Sequence, residues 1–354
     1  MEHSHDSAEM LEQIIYPAFI VENNVITKAN QAACTRGISV GTDVFDIITT
    51  GTEEYQNYSD GKLCITLSVN TIHCSTTVTS CDYGHLFCME TEFDDPNLRA
   101  FALIAQQLRN PLANAMMSTE QLLANQNEEN KQQLAQLNKS LNQLLRAVGN
   151  MSDSATYIAE RNFRMQLIDI TANFAEILEK AADYVEESGK KLQYTLPKEP
   201  IFTMADREKL ERAVLNLISN ALKNTPNTKT VFVDIKKGKE KVFITVTDSG
   251  EGIDTSVYGT LFSRYLREPG IEKGNTGVGL GMTIVRAVAA AHNGTVLLEC
   301  PDGMGAKFTM TIQIAQSGEN VVCTPILLPI DYTGGRDHVL LELSDVLPSS
   351  LFEN

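Results

Sequence analysis

The stretch NLISNALKN, residues 216–224, predicts a helix with a polar face. On a helix, Asn216 and Asn220 lie on one face, because residues four apart are neighbours on the helix surface. An amide oxygen suits Mg²⁺, a hard cation with oxygen ligands, and Lys223 is placed to contact phosphate as a point charge. An ordinary amphipathic helix with polar caps gives the same pattern. The positions expected to face the core are Leu210, Val214, Leu217 and Ala221.

The second element is DSGEG, residues 248–252, which directly follows a predicted strand ending at Thr247. A carboxylate at the end of a strand accepts a hydrogen bond from the amino group of adenine, and Asp248 is placed to do so. Gly250 and Gly252 permit a tight turn beside the ring, because glycine has no Cβ. Taken alone, the stretch is only a turn signal.

Two further elements follow in order. The long span from Ile253 to Thr276 contains LFSRYLR and indicates a lid, with Phe262 as an anchor. Then TGVGLG offers unobstructed backbone N–H groups at the start of a helix, where partial positive charge favours anions. An exposed loop and an ordinary glycine-rich turn are the alternatives. The glycines concerned are Gly277, Gly279 and Gly281.

The four elements in this order resemble the N box, the D-x-G-x-G box, the F box and the Gly-rich second box of the GHKL ATPases, in their sensor histidine kinase branch. The resemblance extends from about Phe101 to Gln313 and implies binding of Mg-ATP, with Asn220 as the metal ligand. It also implies a GHKL α/β sandwich with helices on one face of the sheet. The cofactor-binding residues that it implies are Asn216, Asn220, Lys223, Asp248, Gly250, Gly252, Phe262, Gly277, Gly279 and Gly281.

Between about Asp95 and Arg164, apolar residues recur at spacings of three and four, which is typical of a bundle seam. The polar segment ANQNEENKQQ divides this region and is short enough to join two antiparallel helices. A lone hairpin leaves its stripe exposed, so we expect two copies to form a four-helix bundle, in a homodimer. The seam comprises Phe101, Ile104, Leu108, Pro111, Ala115, Ser118 and Leu122, then Leu134, Leu137, Leu141, Leu144, Val148, Met151, Ala155 and Ile158.

The first hairpin helix carries QQLRNPL, residues 106–112. The corresponding family motif reads H-E-L-R-T/N-P-L, so Gln106 replaces the phospho-accepting histidine and Gln107 replaces the adjacent acid. The amide nitrogen of Gln106 is no nucleophile, because its lone pair is delocalised into the carbonyl group, and phosphoryl transfer needs an available lone pair. The resemblance also implies that Asn110 orients water to dephosphorylate a response regulator. A structural role beside Pro111 is the alternative.

The first 95 residues predict a small mixed domain. PAFIVENNVITKANQAA predicts two strands joined by a turn, and the segment resembles a PAS domain. Binding of a small molecule and a purely structural or dimerising role both remain open. The cysteines of this region, with His85 between Cys81 and Cys88, fit either small apolar residues on strands or a metal or redox sensor. Further predicted strands are Leu63 to Val69, Thr71 to Thr79 and His85 to Met89.

The composition limits the classes of partner. The chain has 354 residues and a formal net charge of −16, which disfavours nucleic acid and anionic lipid as partners. Its start lacks a basic segment followed by an apolar run, and no stretch is apolar enough to span a bilayer, so we expect no membrane insertion. The seven cysteines include no C-x-x-C pair, which fits reduced thiols in a cytoplasmic protein.

Together these patterns predict a multidomain α+β protein. Three functions remain open. The first is an ATP-binding two-component signalling protein that does not autophosphorylate on histidine and pairs with an active histidine kinase or a response regulator. The second is a kinase acting on a partner or on Ser118 or Thr119, and the third is a phosphatase using Asn110. The expected domains are a PAS-like sensory domain (1–95), a dimerisation hairpin (96–165), a GHKL ATPase domain (166–314) and a C-terminal extension (315–354).

Overall fold

The structure is a computed structural model of the chain. Among the residues it describes, no helix combines the length and apolar character needed to cross a membrane. The described residues are 11–12, 14, 16–89, 96–124, 130–159, 163–226, 229–250, 280–300, 305–315 and 337–353.

The N-terminal region is an antiparallel sheet with two short helices. Asn23 and Asn24 connect the first two strands at φ angles of 51° and 68°, a region that asparagine tolerates better than most residues. The predicted strands are confirmed, whereas the two helices and β3 are too short for a repeated period to reveal. The elements are β1 (Ala18–Glu22), β2 (Val25–Ala29), α1 (Gln31–Thr35), β3 (Ile48–Thr50), α2 (Thr52–Gln56), β4 (Lys62–Val69), β5 (Ile72–Cys81) and β6 (Gly84–Met89).

Two long antiparallel helices follow, α3 (Pro96–Ala124) and α4 (Lys131–Ala159), as the seam predicts. Within one chain, some residues of the predicted apolar stripe are buried and others are exposed. Leu141 and Val148 are buried, together with Leu145, which the spacing does not single out. Exposed apolar positions of the stripe are Ile104, Leu108, Leu122, Leu137 and Leu144.

The following region alternates strands and helices. Its sheet has β8 parallel to β10, and the order β12, β13, β11, β10 is antiparallel throughout, whereas β7 pairs with β9 alone. The predicted core residues of α6 are all buried, in one cluster with α5, α7 and the inner face of the sheet. The elements are β7 (Gln166–Asp169), α5 (Ile170–Glu187), β8 (Lys191–Thr195), β9 (Phe202–Ala205), α6 (Arg207–Asn224), β10 (Thr230–Lys237), β11 (Lys241–Thr247), α7 (Gly281–Ala291), β12 (Val296–Glu299) and β13 (Lys307–Gln313).

One sheet continues from the N-terminal region into this second region. Strand β4 pairs antiparallel with β12, with Leu63 opposite Leu297. The Oε1 atom of Glu54 lies 2.5 Å from Nζ of Lys241 and accepts a hydrogen bond from the hydroxyl of Thr311 at 3.2 Å. The sequence predicts two regions but not this joint between them, because strand pairing at a sheet edge leaves no local pattern.

The C-terminal segment, which we define as residues 337–353, lies against both the hairpin and the second region. It contains α8 (His338–Glu342) and a 3₁₀ turn at Ser349–Phe352. Leu341 packs in the hairpin core with Met116, whereas Phe352 is fully buried in the core of the second region.

Candidate functional site

The polar face of α6 lies against the start of α7. Asn216 is buried, its Oδ1 accepts a hydrogen bond from Nη2 of Arg146 at 3.0 Å, and its Nδ2 donates to the carbonyl of Arg212 at 2.9 Å. One turn later, Nδ2 of Asn220 contacts Sδ of Met282 at 3.4 Å. The two asparagines thus share a face, as predicted, and both point at the N-terminal end of α7.

Gly281 allows this close approach. A Cβ on Gly281 would lie 2.9 Å from Oδ1 of Asn216, which is closer than real side chains pack. Among the described residues, the N-cap residue Leu280 forms no side-chain capping hydrogen bond to the first backbone N–H groups of α7. Such groups suit an anion. The other predicted residues of these loops lie outside the described residues: Gly252, Phe262, Gly277 and Gly279.

Asp248 lies at the end of β11 and is almost fully buried. Its Oδ1 accepts a hydrogen bond from the backbone N–H of Gly250 at 2.8 Å, and its own N–H donates to the carbonyl of Ala306 at 2.9 Å. Burial raises the pKa of the Asp248 carboxyl group, although hydrogen bonds from the backbone of Gly250 and Ala306 oppose the shift. A carboxylate held in this way accepts from an amino group of a ligand but repels phosphate.

Two glycines shape the surroundings of this carboxylate. A Cβ on Gly250 would collide with the carbonyl oxygen of Asn224. The absence of a Cβ therefore lets the turn after Asp248 pack against the end of α6. A Cβ on Gly305 would collide with Oδ1 of Asp248. Sequence reasoning missed Gly305, although the stretch GMGAKF before β13 is a visible glycine signal.

Lys223 forms an ion pair within the chain. Its Nζ lies 2.6 Å from Oδ2 of Asp345, in the C-terminal segment. The same oxygen receives Nη1 of Arg146 at 2.7 Å. The cation predicted to contact phosphate is therefore paired with a carboxylate of the same chain.

A buried ionic network extends from this pair. Glu342 has no exposed surface, and its two carboxylate oxygens lie 3.1 Å from Nε of Arg146 and 2.9 Å from Nε of Arg212. Arg212 also forms an ion pair with Asp153 of α4. The sequence gives no local signal for this network, because its partners lie up to 199 positions apart.

The degenerate acceptor motif lies on the surface of α3. Gln106, Gln107 and Asn110 are exposed, and Pro111 lies within the continuous helix. Among the described residues, no hydrogen bond joins Gln106 or Asn110 to α6 or α7. Of the predicted nucleotide residues that the structure describes, Gly281 lies beside Asn216 and Gly250 lies beside the end of α6, and neither Gln106 nor Asn110 is hydrogen-bonded to these helices.

The N-terminal cysteines do not gather around His85. In the part of the chain that the structure describes, no group of three or more His, Cys, Asp or Glu side chains is placed to hold a metal ion. Nδ1 of His85 instead contacts the hydroxyl of Tyr55 at 3.0 Å. Burial lowers the pKa of His85 and raises that of Tyr55 to about 12.

Comparison with known families gives two matches to this chain. Residues 205–316 match the family described as Histidine kinase-, DNA gyrase B-, and HSP90-like ATPase. Residues 97–158 match the His Kinase A (phospho-acceptor) domain. The first match contains α6, Asp248 and α7, and the second contains most of the helical hairpin.

Individual relatives agree with these matches. Hybrid signal transduction histidine kinase D of Dictyostelium discoideum is 30% identical over 240 residues, covering 63% of this chain and 15% of that protein. Adaptive-response sensory kinase SasA of Gloeothece citriformis is 26% identical over 226 residues, covering 61% of this chain and 57% of that protein. Full-length ShkA, crystallised with AMPPNP, superposes with a TM-score of 0.50 at 23% identity, covering 62% of this chain and 46% of ShkA.

A GHKL-type sheet following a phospho-acceptor-type helical hairpin defines a histidine-kinase class of ATPase fold. The chain belongs to the sensor histidine kinase family. It spans at most 57% of the length of the two curated relatives described above.

Proposed function

We propose that the chain binds Mg-ATP between α6, the Asp248 turn and the start of α7, and signals without phosphorylating itself on histidine. The observation that supports this most is that α6 contacts both other parts of the site, in a chain with Gln106 at the acceptor position. Gly281 packs on Asn216 of α6, and Gly250, in the Asp248 turn, packs on Asn224 at the end of the same helix. The collisions that a Cβ would make at Gly250 and Gly281 fit a site in which backbone approaches a ligand closely.

Each residue has a proposed role. The carboxylate of Asp248 accepts from the adenine amino group, and the N–H groups at Gly281 face the phosphates. The side-chain oxygen of Asn220 binds Mg²⁺, and Lys223 meets a phosphate as a point charge. Resemblance alone supports the same site for Gly252, Phe262, Gly277 and Gly279.

Bound Mg-ATP would supply a transferable phosphoryl group, and Gln106 cannot take it. The amide of Gln106 offers no available lone pair, and Gln107 supplies no base. Thr119 is buried, which argues against Thr119 as an alternative acceptor. Ser118 is exposed and remains a candidate.

The exposed stripe on the hairpin supports a homodimer. Leu108 and Leu144 are about half exposed, at 45% and 54%, and a second hairpin would bury them. The proposed signalling partner is an active histidine kinase or a response regulator. The cytoplasmic location stays a prediction of the sequence.

Calorimetric titration of the full chain with ATP, with and without Mg²⁺, tests the proposal. We expect saturable binding that Mg²⁺ strengthens. The variant Asn220→Ala should lose the Mg²⁺ dependence and keep weaker binding of ATP alone, whereas Asn57→Ala, on the N-terminal region, should bind like the wild type. Absence of binding to the wild-type chain would contradict the proposed function.

A response-regulator phosphatase is the second candidate, because Asn110 is exposed beside Pro111. An amide in this position can orient water without any histidine. If the chain dephosphorylates its cognate regulator, Asn110→Ala should abolish this activity while ATP binding is retained. An unchanged rate in Asn110→Ala would leave only the structural role beside Pro111.

A further inference from the structure

The C-terminal segment brings two carboxylates to the proposed phosphate side of the site. Asp345 contacts Lys223 and Arg146 at 2.6 and 2.7 Å, with the side chains of Asp345 and Lys223 only 17% and 16% exposed. Glu342 lies deeper, between Arg146 and Arg212. These contacts join the C-terminal segment to the N-box helix α6 and to α4 of the hairpin at once.

The charges in this network are balanced only when the segment is in place. Its cations are Arg146, Arg212 and Lys223, and its carboxylates are those of Asp153, Glu342 and Asp345. Removal of the two carboxylates of the C-terminal segment would leave the network with three cations and one carboxylate, that of Asp153. Partly buried cations of this kind attract a polyphosphate strongly, because little water screens them.

We propose that the C-terminal segment competes with the nucleotide. Asp345 forms an ion pair with Lys223, the cation that would otherwise contact a phosphate of ATP. This inference rests on the proposed function, since it concerns the same nucleotide site. Lys223 cannot neutralise Asp345 and a phosphate fully at the same time. By linkage, ATP binding then weakens the Asp345 contact as much as that contact weakens ATP binding.

The competition is local rather than a release of the whole segment. Leu341 and Phe352 have no exposed surface and hold the two ends of the segment in separate cores. Residues 343–348 lie between these anchors, outside α8 and the 3₁₀ turn, and they include Asp345. Leu343 and Leu347 of this stretch are buried in the core of the second region, whereas the side chain of Asp345 between them is 17% exposed. The Asp345 side chain can therefore leave Lys223 while the segment stays docked, so the segment attenuates ATP binding and does not abolish it.

The test compares the full chain with Asp345→Asn, which keeps the size of the side chain and removes its charge. We expect Asp345→Asn to bind ATP roughly tenfold more tightly, within the usual range of coupling between sites. Adenosine should bind both proteins equally, because it carries no phosphate. The matched control is Glu353→Gln, which removes one charge from the same segment at the exposed pair with Lys131 and should leave ATP affinity unchanged.

Hydrogen exchange gives a second readout that does not depend on activity. Saturating ATP should raise exchange at Asp345 and Val346 of the wild type and leave the amides of the buried residues Leu341, Leu343, Leu347 and Phe352 protected. Equal ATP affinities of the wild type and Asp345→Asn would overturn the inference and leave the proposed function standing. Loss of ATP binding in every variant would overturn both, and tighter binding of adenosine by Asp345→Asn would contradict competition for phosphate.

Discussion

Arg146 of α4 donates a hydrogen bond from Nη2 to Oδ1 of Asn216 in α6 over 3.0 Å. The same guanidinium contacts Glu342 and Asp345 through its other nitrogens. A single side chain therefore joins the hairpin, the N-box helix and the C-terminal segment. One contact between the ATPase region and the hairpin therefore lies at the proposed nucleotide site itself.

The first prediction concerns Arg146→Met. The arginine side chain is 6% exposed and Glu342 is fully buried, so the variant leaves a buried carboxylate with one cation fewer. We expect the free energy of unfolding to fall by roughly 3–5 kcal/mol, as measured by urea denaturation. The control Lys131→Met breaks an exposed pair with Glu353 and should cost about 1 kcal/mol or less. Similar losses in both variants would contradict the account of the network.

The second prediction concerns recognition of the base. Asp248→Asn removes the negative charge that accepts from the adenine amino group, so ATP affinity should fall roughly 10- to 100-fold, the loss of one hydrogen bond to a charged group. Asp234→Asn, on the partly exposed face of β10, is the matched control and should bind normally. An equal loss of GTP and ATP affinity in Asp248→Asn would argue against an adenine contact.

The third prediction concerns pH and His292. The backbone N–H of Asp206 donates to Nε2 of His292, which leaves Nδ1 to donate to the carbonyl of Val288 at 2.6 Å. Burial lowers the pKa of His292, against the opposing effects of Val288 and Asp206. The unfolded chain then binds more protons below its ordinary pKa of about 6.5, so stability is lost as pH falls through that value.

Thermal unfolding between pH 7 and pH 5 measures this effect. His292→Gln keeps an acceptor near Nε2 and does not titrate, so its melting temperature should depend less on pH than that of the wild type. His73→Gln, at an exposed histidine, should keep the wild-type dependence. A steeper pH dependence in His292→Gln would show that the imidazole is not held neutral.

The fourth prediction concerns the exposed stripe. Leu144→Glu places a charge in the centre of the proposed four-helix interface, so we expect the dimer to dissociate in sedimentation experiments at micromolar concentration. Gln132→Glu introduces the same charge at an exposed position on the same helix and should leave the dimer intact. Dimers of unchanged stability in Leu144→Glu would place the interface elsewhere.

Local pattern was enough to predict much of this fold. The spacing of apolar residues in α6 gave the buried face of that helix, and the buried positions Leu210 and Val214 confirm it. Alternation gave the strands around Asp248 to within about two residues. Each of these features depends on neighbours in the chain, which a periodic sequence records directly.

Contacts between distant segments produce no periodic pattern in the sequence, so they could not be predicted in this way. The pairing of Leu63 with Leu297 joins two regions across more than half of the chain. Likewise, nothing near Lys223 indicates that Asp345 will neutralise it. In both cases the two partners lie far apart in the chain. The residues around one partner therefore give no indication of which distant strand or charge will pair with it.

We propose that the site binds ATP while Gln106 prevents autophosphorylation. Incubation of the purified full chain with γ-labelled ATP and Mg²⁺, with nucleotide binding followed in parallel, tests both parts of this proposal. The double variant Gln106→His with Gln107→Glu restores the acceptor motif and serves as the labelled reference. We predict saturable binding with no label retained on the wild-type chain. Stoichiometric label on the wild-type chain would contradict the claim.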